Sequence, residues 1–262
     1  MRIATWNINS VRLRIAHVLR FIKEQNIDVM CLQETKTQDN SFPTENFLKV
    51  GMKYQYFIGE KSYNGVAILS KVKFDKNGYK NWCNKGDCRH ISVILGEEVE
   101  LHNFYVPAGG DIPDPKQNEK FAHKLRFLDE VTTWFAARKA AANKFVLVGD
   151  LNIAPLETDV WSHKALVNVV SHTPIEVERL ARMQRSHDWV DAVRQVFGDD
   201  KTLYSWWSYR AADWDAADKG RRLDHVWVTP ALAPRVRDAA ILREARGWQQ
   251  TSDHVPVVVR LK

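Results

Sequence analysis

Three cysteines are too few for a disulfide framework, and their settings suit neither a bridge nor a metal. Cys31 lies within the apolar run Val29-Met30-Cys31-Leu32 and reads as a small buried hydrophobe. Cys83 and Cys88 have no second Cys or His pair nearby to complete a zinc site. A reducing compartment follows, and the cytoplasm is the expected location. No run approaches the roughly 20 apolar residues that span a bilayer. Met1-Arg2-Ile3-Ala4-Thr5-Trp6 opens directly into strand-like alternation, so neither a membrane anchor nor a secretory leader is expected. Glycine and proline are modest too, at 12 and 9 of 262 residues, which excludes collagen-like and linker-dominated chains. No internal repeat, low-complexity tract or Gly/Ser linker divides the sequence, and residues 1–262 read as a single domain.

Two features are more abundant. Lys and Arg number 38 against 32 Asp and Glu, and the resulting +6 permits an anionic partner without identifying one. Ten tryptophans call for a role beyond core filling. Strand-like segments recur at 3–8, 29–32, 66–69, 91–95, 99–106, 145–148, 223–228 and 255–261. Ser10 is placed to cap a helix with the apolar face Val11, Ile15, Val18, Leu19 and Ile22, and a longer helix runs through Phe121, Leu125, Leu128, Val131 and Phe135. Shorter helices are expected over 175–183 and 189–197. Strands outnumber helices, so the expected fold is α/β: two packed sheets, mainly antiparallel or mixed, flanked by helices in one domain.

Polar residues interrupt the apolar strands at their ends. Asn7 and Asn9 close the first, Gln33-Glu34 the second, and Asn103 and Tyr105 lie in the strand that stops at Pro107. Asp150 and Asn152 follow Phe145–Val148, Asp224 sits in Arg221-Arg222-Leu223-Asp224, and Ser252-Asp253-His254 precedes the last strand. Each Asn or Asp taken alone has a competing reading as a turn former. Asp224, inside an apolar strand, needs a partner if buried. Six coincidences favour convergence on one mouth of a sheet sandwich. Such hard oxygen ligands suit Mg²⁺ or Mn²⁺ better than zinc, which describes a metal-dependent hydrolase.

In order along the chain, Thr5–Asn9, Leu32–Lys36, Asn103–Pro107, Gly149–Asn152, Arg222–Asp224 and Ser252–His254 resemble the exonuclease III class of apurinic/apyrimidinic endonucleases within the endonuclease/exonuclease/phosphatase superfamily. The resemblance spans nearly the whole chain and implies a four-layered α/β sandwich. It implies a catalytic set of Tyr105, Asp150, Asn152, Asp224 and His254, and a metal region of Asn7, Glu34, Asp150, Asn152, Asp253 and His254 holding Mg²⁺, with Mn²⁺ as an alternative. Glu34 would be the principal ligand, Asp150 would orient or deprotonate the attacking water, and Asn152 would hold a nonbridging oxygen. His254 would contact the scissile phosphate with Asp224 fixing its tautomer, and Tyr105 would donate to the phosphate or steady the leaving oxygen. The resemblance leaves open which of Asp150 and His254 is the base and whether one ion or two take part.

The implied partner is double-stranded DNA, especially abasic sites and 3′-blocked ends, cut 5′ to the abasic sugar and trimmed from 3′ ends. A phosphatase or phosphodiesterase acting on a lipid or small-molecule phosphoester is the alternative, and a binding module without catalysis a third. The interleaved aromatics and cations of Tyr204–Arg210, Trp214 and Lys219–Arg222 favour DNA. The expected DNA contacts are Trp206, Tyr209, Trp214, Arg221, Arg222 and Leu223, while Lys36, Lys61 and Lys116 are placed to track a DNA backbone but read first as solvated loop lysines. Two positions depart from the family pattern: Ala108 follows Pro107, and Arg221 stands where animal enzymes have a Trp lining the sugar pocket. No heptad seam asks for an oligomer, and a monomer is expected. The charge balance should separate into an acidic centre and a basic rim.

Overall fold

The computed structural model describes residues 1–96 and 98–262. Fourteen strands follow in chain order: β1 (Arg2–Asn7), β2 (Val29–Gln33), β3 (Tyr54–Glu60), β4 (Tyr63–Ser70), β5 (Phe74–Tyr79), β6 (His90–Leu95), β7 (Val99–Tyr105), β8 (Phe145–Asp150), β9 (Val190–Asp191), β10 (Trp206–Trp207), β11 (Gly220–Arg221), β12 (Asp224–Val228), β13 (Val236–Ile241) and β14 (Val257–Leu261). The helices are α1 (Ile15–Glu24), α2 (Thr44–Leu48), α3 (Glu119–Ala137), α4 (His163–Leu166), α5 (Pro174–Ser186), α6 (Ala192–Phe197) and α7 (Trp214–Ala217).

Two six-stranded sheets carry the fold, in the orders β13-β14-β1-β2-β4-β3 and β5-β6-β7-β8-β12-β9. Both are mixed. In each, one central pair is parallel, β1 with β2 and β7 with β8, and the helices α1 and α3 make those crossovers. Strand alternation sorts the side chains into layers. Ile3, Val29, Cys31 and Val66 face Val93, Val146, Val148 and Val226 between the sheets. On the outer face of the first sheet, Ala4, Trp6, Met30 and Leu32 pack on Val18, Phe21 and Ile22 of α1. On the outer face of the second, Phe104, Leu147 and Trp227 pack on Phe127, Leu128, Val131 and Phe135 of α3 and on Leu180 and Met183 of α5. The result is helix, sheet, sheet, helix, with each buried Val, Leu or Phe contributing about 1.5–3 kcal/mol.

One polar bridge crosses the inner layer. Gln33 Nε2 donates to Thr5 Oγ1 at 2.9 Å and Asn103 Oδ1 at 2.6 Å, and Asn103 Nδ2 donates to the carbonyls of Leu32 at 3.0 Å and Ala67 at 2.9 Å. This bridge pins the two sheets to one another immediately behind Glu34.

Ser10 does not cap the first helix. Its backbone N–H donates to the Glu34 carbonyl at 2.7 Å, and Val11 N–H donates to Thr35 at 3.1 Å, so residues 8–11 prolong the parallel pairing of β1 with β2. Helix α1 therefore starts at Ile15, with Arg14 at its N-cap position, and Val11 joins the same apolar cluster from outside the helix. The helix expected over 189–197 begins only at Ala192, because Val190 and Asp191 pair with β12. Strands β3, β5 and β13 were not anticipated. All three are edge strands of half-polar composition.

Candidate active site

The anticipated polar residues meet at one end of the sandwich. Asn7, Tyr105 and Asp150 terminate β1, β7 and β8, Glu34 follows β2, and Asp224 opens β12 directly opposite Asp150. Gly149 makes this approach possible. At φ +141 it sits where a Cβ would lie 1.9 Å from the Phe104 carbonyl oxygen, so only glycine lets β8 run this close to β7 before Asp150. Asn152 then turns with φ +55, and its side chain folds back onto the strand end.

Asp150 is the hub. Its Oδ2 accepts from Asn7 Nδ2 at 2.9 Å and Asn152 Nδ2 at 3.1 Å, while Oδ1 accepts from the Asn152 backbone N–H at 2.9 Å. Asn7 Nδ2 also donates to Glu34 Oε1 at 2.8 Å, so a single amide ties the two carboxylates together. His254 Nδ1 lies 2.8 Å from Asp224 Oδ2, and its Nε2 lies 3.7 Å from Asp150 Oδ2. Ser205 Oγ donates to Asp224 Oδ2 at 2.7 Å and itself accepts from the N–H groups of Leu223 and Asp224.

The electrostatics separate the acids. Burial pushes the Asp150 carboxyl up to about 7, with the charges of Asp224 and Glu34 adding to the rise and His254 opposing it. Burial disfavours the imidazolium, but Asp224 and Asp150 outweigh it and raise His254 to about 10. Burial likewise opposes ionisation of Glu34, yet Lys36, Asn7 and His254 hold it below the usual carboxylate range. Burial, with Glu34 and Asp150 nearby, keeps Tyr105 a neutral phenol able to donate a proton.

The same groups supply the atoms that could hold a cation. Atoms of Asp150, Asp224 and His254 all lie within 4.8 Å of one another. Within this trio His254 Nδ1 lies on Asp224 at 2.8 Å, which leaves Nε2 as the nitrogen turned toward Asp150 at 3.7 Å. His254, expected among the metal ligands, thus belongs to a group of side chains close enough together to hold an ion. Glu34 and Asp150, two carboxylates held on one amide, form an oxygen-only donor set that suits a hard divalent cation. Asp253 stands beside them with Oδ1 accepting from Asn9 Nδ2 at 3.3 Å and Oδ2 from Trp206 Nε1 at 2.9 Å.

A cavity of about 620 Å³ opens from this cluster, walled by Trp206, Leu223, Trp161, Val170, Arg221 and Lys219. Trp206 and Leu223 thus stand where they were expected. Other anticipated DNA contacts lie elsewhere. Trp214 packs edge-on to Trp207 at 5.4 Å under Arg243 and Arg246 and lines an adjoining pocket that shares Ser208, Arg210 and Lys219 with the catalytic cavity. Tyr209 is exposed on a neighbouring face, and its hydroxyl donates to the Thr251 carbonyl at 2.7 Å. Arg222 faces no phosphate: it is 1% exposed, bonded through Nε to Asp159 at 2.5 Å and through Nη1 to Asp191 at 2.7 Å. Replacing it with Ala leaves Asp159 to Arg194 alone and takes the guanidinium from Asp191, and should cost about 3–5 kcal/mol. Thermal unfolding of Arg222→Ala should therefore fall by roughly 10 °C; an unchanged midpoint would contradict this structural role.

Other site residues were not anticipated. Lys36, taken as a solvated loop lysine, donates to Glu34 Oε2 at 2.8 Å and Asn9 Oδ1 at 2.7 Å. Lys124 is fully buried, and its Nζ donates to Glu176 Oε1 at 2.5 Å and to the carbonyls of Asn152 at 2.8 Å and Ala108 at 3.2 Å. It locks α3 and α5 onto the two loops that flank the cavity. Its spacing was the available signal: Lys124 stands three residues after Phe121 and four before Leu128, on the buried face of α3.

Two mixed sheets with buried carboxylates, amides and an imidazolium gathered at one edge define a hydrolase of phosphoesters. The chain belongs to the Endonuclease/Exonuclease/phosphatase family, whose model matches residues 4–254. It is 28% identical to the exodeoxyribonuclease III of Haemophilus influenzae, over all of both chains. An AP endonuclease from Archaeoglobus fulgidus superposes with a TM-score of 0.93 at 30% identity, covering 100% of this chain and 99% of that one. The 3′ phosphatase NExo from Neisseria, solved with a product DNA hairpin, superposes with a TM-score of 0.91 at 27% identity, covering 100% and 99%. No helix among the described residues is long and apolar enough to cross a membrane.

Proposed function

We propose that this protein is a Mg²⁺-dependent DNA repair nuclease that incises duplex DNA 5′ to abasic sites and trims or deblocks 3′ ends. The carrying observation is the joining of the Glu34–Asn7–Asp150 cluster to a cavity with both aromatic and cationic walls. The relatives, named as DNA exonucleases and AP endonucleases, support this reading over the lipid or small-molecule phosphoesterase.

Asn7, Glu34 and Asp150 would hold the ion, with Asp253 at its edge and Asn152 braced on Asp150. Bound there, a divalent cation supplies charge to stabilise the phosphate in the transition state. Asp150, buried and raised toward neutrality, takes the proton of the attacking water. His254, kept protonated by Asp224, donates to a nonbridging oxygen as negative charge grows on it. Tyr105 faces the same space as a neutral donor, and the Asn152 amide contributes a further hydrogen bond. Trp206 and Leu223 give the sugar an apolar surface. Arg210 and Lys219 form the cationic rim. A monomer in a reducing, cytoplasmic setting accords with three unpaired cysteines.

Two outcomes follow from these roles. Turnover efficiency should rise as Asp150 loses its proton near pH 7 and fall as His254 loses its own near pH 10. A bound cation would draw the rising limb below 7, and a pH profile of kcat/KM with no falling limb below pH 11 would contradict the assigned state of His254. Trp206→Ala should slow incision at an abasic analogue roughly tenfold more than removal of an ordinary 3′ nucleotide, since stacking contributes about 1–3 kcal/mol. Equal losses on the two substrates would reduce Trp206 to a structural strand residue.

The substrate class is tested by offering a duplex with one abasic analogue and a phosphoinositide, each with Mg²⁺ and with a chelator. Incision of the duplex in Mg²⁺ alone is expected. Hydrolysis of the lipid with the duplex intact would overturn the proposal.

A further inference from the structure

Arg221 is a cation without an anion. Its Nη1 donates to the Val170 carbonyl at 2.9 Å and to Ser171 Oγ at 2.6 Å, both neutral, and its guanidinium lies over the Trp206 ring at 5.3 Å. Its Nε is buried with no hydrogen-bond partner, and Arg221 takes part in no ion pair among the described residues. The nearest helpful acid, Glu176, is already committed to Lys124 at 2.5 Å and to the N–H groups of Ser171 and Thr173. Burial without a counter-charge accordingly pushes the Arg221 guanidinium below its ordinary value. The contrast with Arg222 is direct, since that neighbour is paired with two carboxylates, Asp159 and Asp191.

Holding an uncompensated guanidinium in a desolvated wall is costly, and the cost falls when an oxyanion arrives. The register shows where that oxyanion would be. Trp206 pairs with Arg221 on one side and bridges to His254 on the other. Residues directly opposite one another on adjacent strands project to the same face. His254, Trp206 and Arg221 therefore form a row, and all three line the cavity. Two strand spacings, roughly 10 Å, separate the backbone of the imidazolium from that of the guanidinium. A sugar resting on Trp206 would have the scissile phosphate at one end of this row and its next substituent at the other. Lys219, over the Trp161 ring at 4.8 Å, adds a second cation there, and the exposed Asp111 is the one acid lining the cavity outside the catalytic cluster.

We propose that Arg221 is a specificity-determining residue that selects substrates carrying an oxyanion on the 3′ side of the group being hydrolysed. This rests on the nuclease reading above and narrows it. The oxyanion is either the carboxylate of a terminal phosphoglycolate or the phosphate that follows an internal abasic sugar. In both reactions water adds to phosphorus and the P–O3′ bond breaks, leaving a 3′-hydroxyl on the upstream strand, so Arg221 touches the part that departs with the phosphate.

Four duplexes in two matched pairs test it. The first pair ends in 3′-phosphoglycolate or in its neutral isostere, 3′-phospho-2-hydroxyethyl. The second carries an internal tetrahydrofuran followed by either a phosphodiester or a methylphosphonate. The parent protein should favour the charged member of at least one pair by about tenfold in kcat/KM, the worth of one charge-assisted hydrogen bond. The pair that discriminates identifies the source of the oxyanion. Arg221→Gln should bring that ratio close to one, and Arg221→Lys should retain most of it. Equal rates within both pairs for the parent, or a ratio unchanged in Arg221→Gln, would overturn the proposal while leaving the nuclease reading intact. A parent that cuts none of the four would remove both.

Discussion

Asp150→Asn should lower kcat on abasic duplex DNA by roughly 10³-fold or more while duplex binding survives, because general base chemistry alone contributes about 10²–10⁴. The substitution keeps the size of the side chain and removes its proton affinity. It also cannot be accommodated neutrally. Asp150 accepts at both oxygens, from two side-chain amides at Oδ2 and from the Asn152 backbone N–H at Oδ1. An amide there must turn its own NH₂ toward one of those donors, so at least one hydrogen bond is lost whichever way it rotates. A single-turnover assay separates this from a binding defect. Retention of the parental rate would remove Asp150 from the chemistry.

The second large effect is expected for His254→Ala, a loss of about 10²–10³ in kcat. Among the described residues the imidazolium is the only cationic side chain in contact with both Asp224 and Asp150, at 2.8 and 3.7 Å. Without it Asp224 keeps Ser205 as its side-chain donor, and two buried carboxylates face one another with less to separate them. The remaining activity should also lose the falling limb of its pH profile near 10, which a purely structural loss of packing would leave in place. Measuring kcat between pH 6 and 11 for both proteins distinguishes the two. A normal falling limb in His254→Ala would assign that limb to another group, Tyr105 being the nearest candidate.

Much of the site was legible because strands end where their apolar runs meet polar residues. Asn7, Glu34, Asp150, Asp224 and His254 each break a run of buried Val, Leu or Ile, and parallel pairing of β1 with β2 and β7 with β8 brings those breaks to one edge. Two helix-flanked sheets were legible because strands outnumber helices, and the resemblance supplied the four layers; in the structure β1 and β8 are buried on both faces, so each sheet is covered on both sides. The remainder depends on partners far apart in the chain. Ser10 carries a good capping side chain, but its N–H is claimed by Glu34 across the sheet. Arg222 and Arg221 are adjacent and alike in sequence. One is sealed between Asp159, 63 residues earlier, and Asp191; the other lies in the cavity wall. Trp214, expected to contact DNA, folds back onto Trp207, and Trp161, for which no role was anticipated, lines the cavity. No local pattern encodes which of two neighbouring tryptophans or arginines a distant loop will cover.

The expected acidic centre with a basic edge has a specific form here. The acids converge on Asn7 and His254, Lys36 is spent on Glu34, and among the described residues the cations lining the cavity without carboxylate partners are Arg210, Lys219 and Arg221. The central claim is direct hydrolysis of a DNA phosphodiester at that centre. It is tested by cutting an abasic duplex in H₂¹⁸O under Mg²⁺ and analysing both new ends. The account predicts a 3′-hydroxyl upstream, one ¹⁸O atom in the 5′-phosphate downstream, and no cleavage with chelator. A 3′-unsaturated aldehyde, or a 5′-phosphate without label, would contradict it.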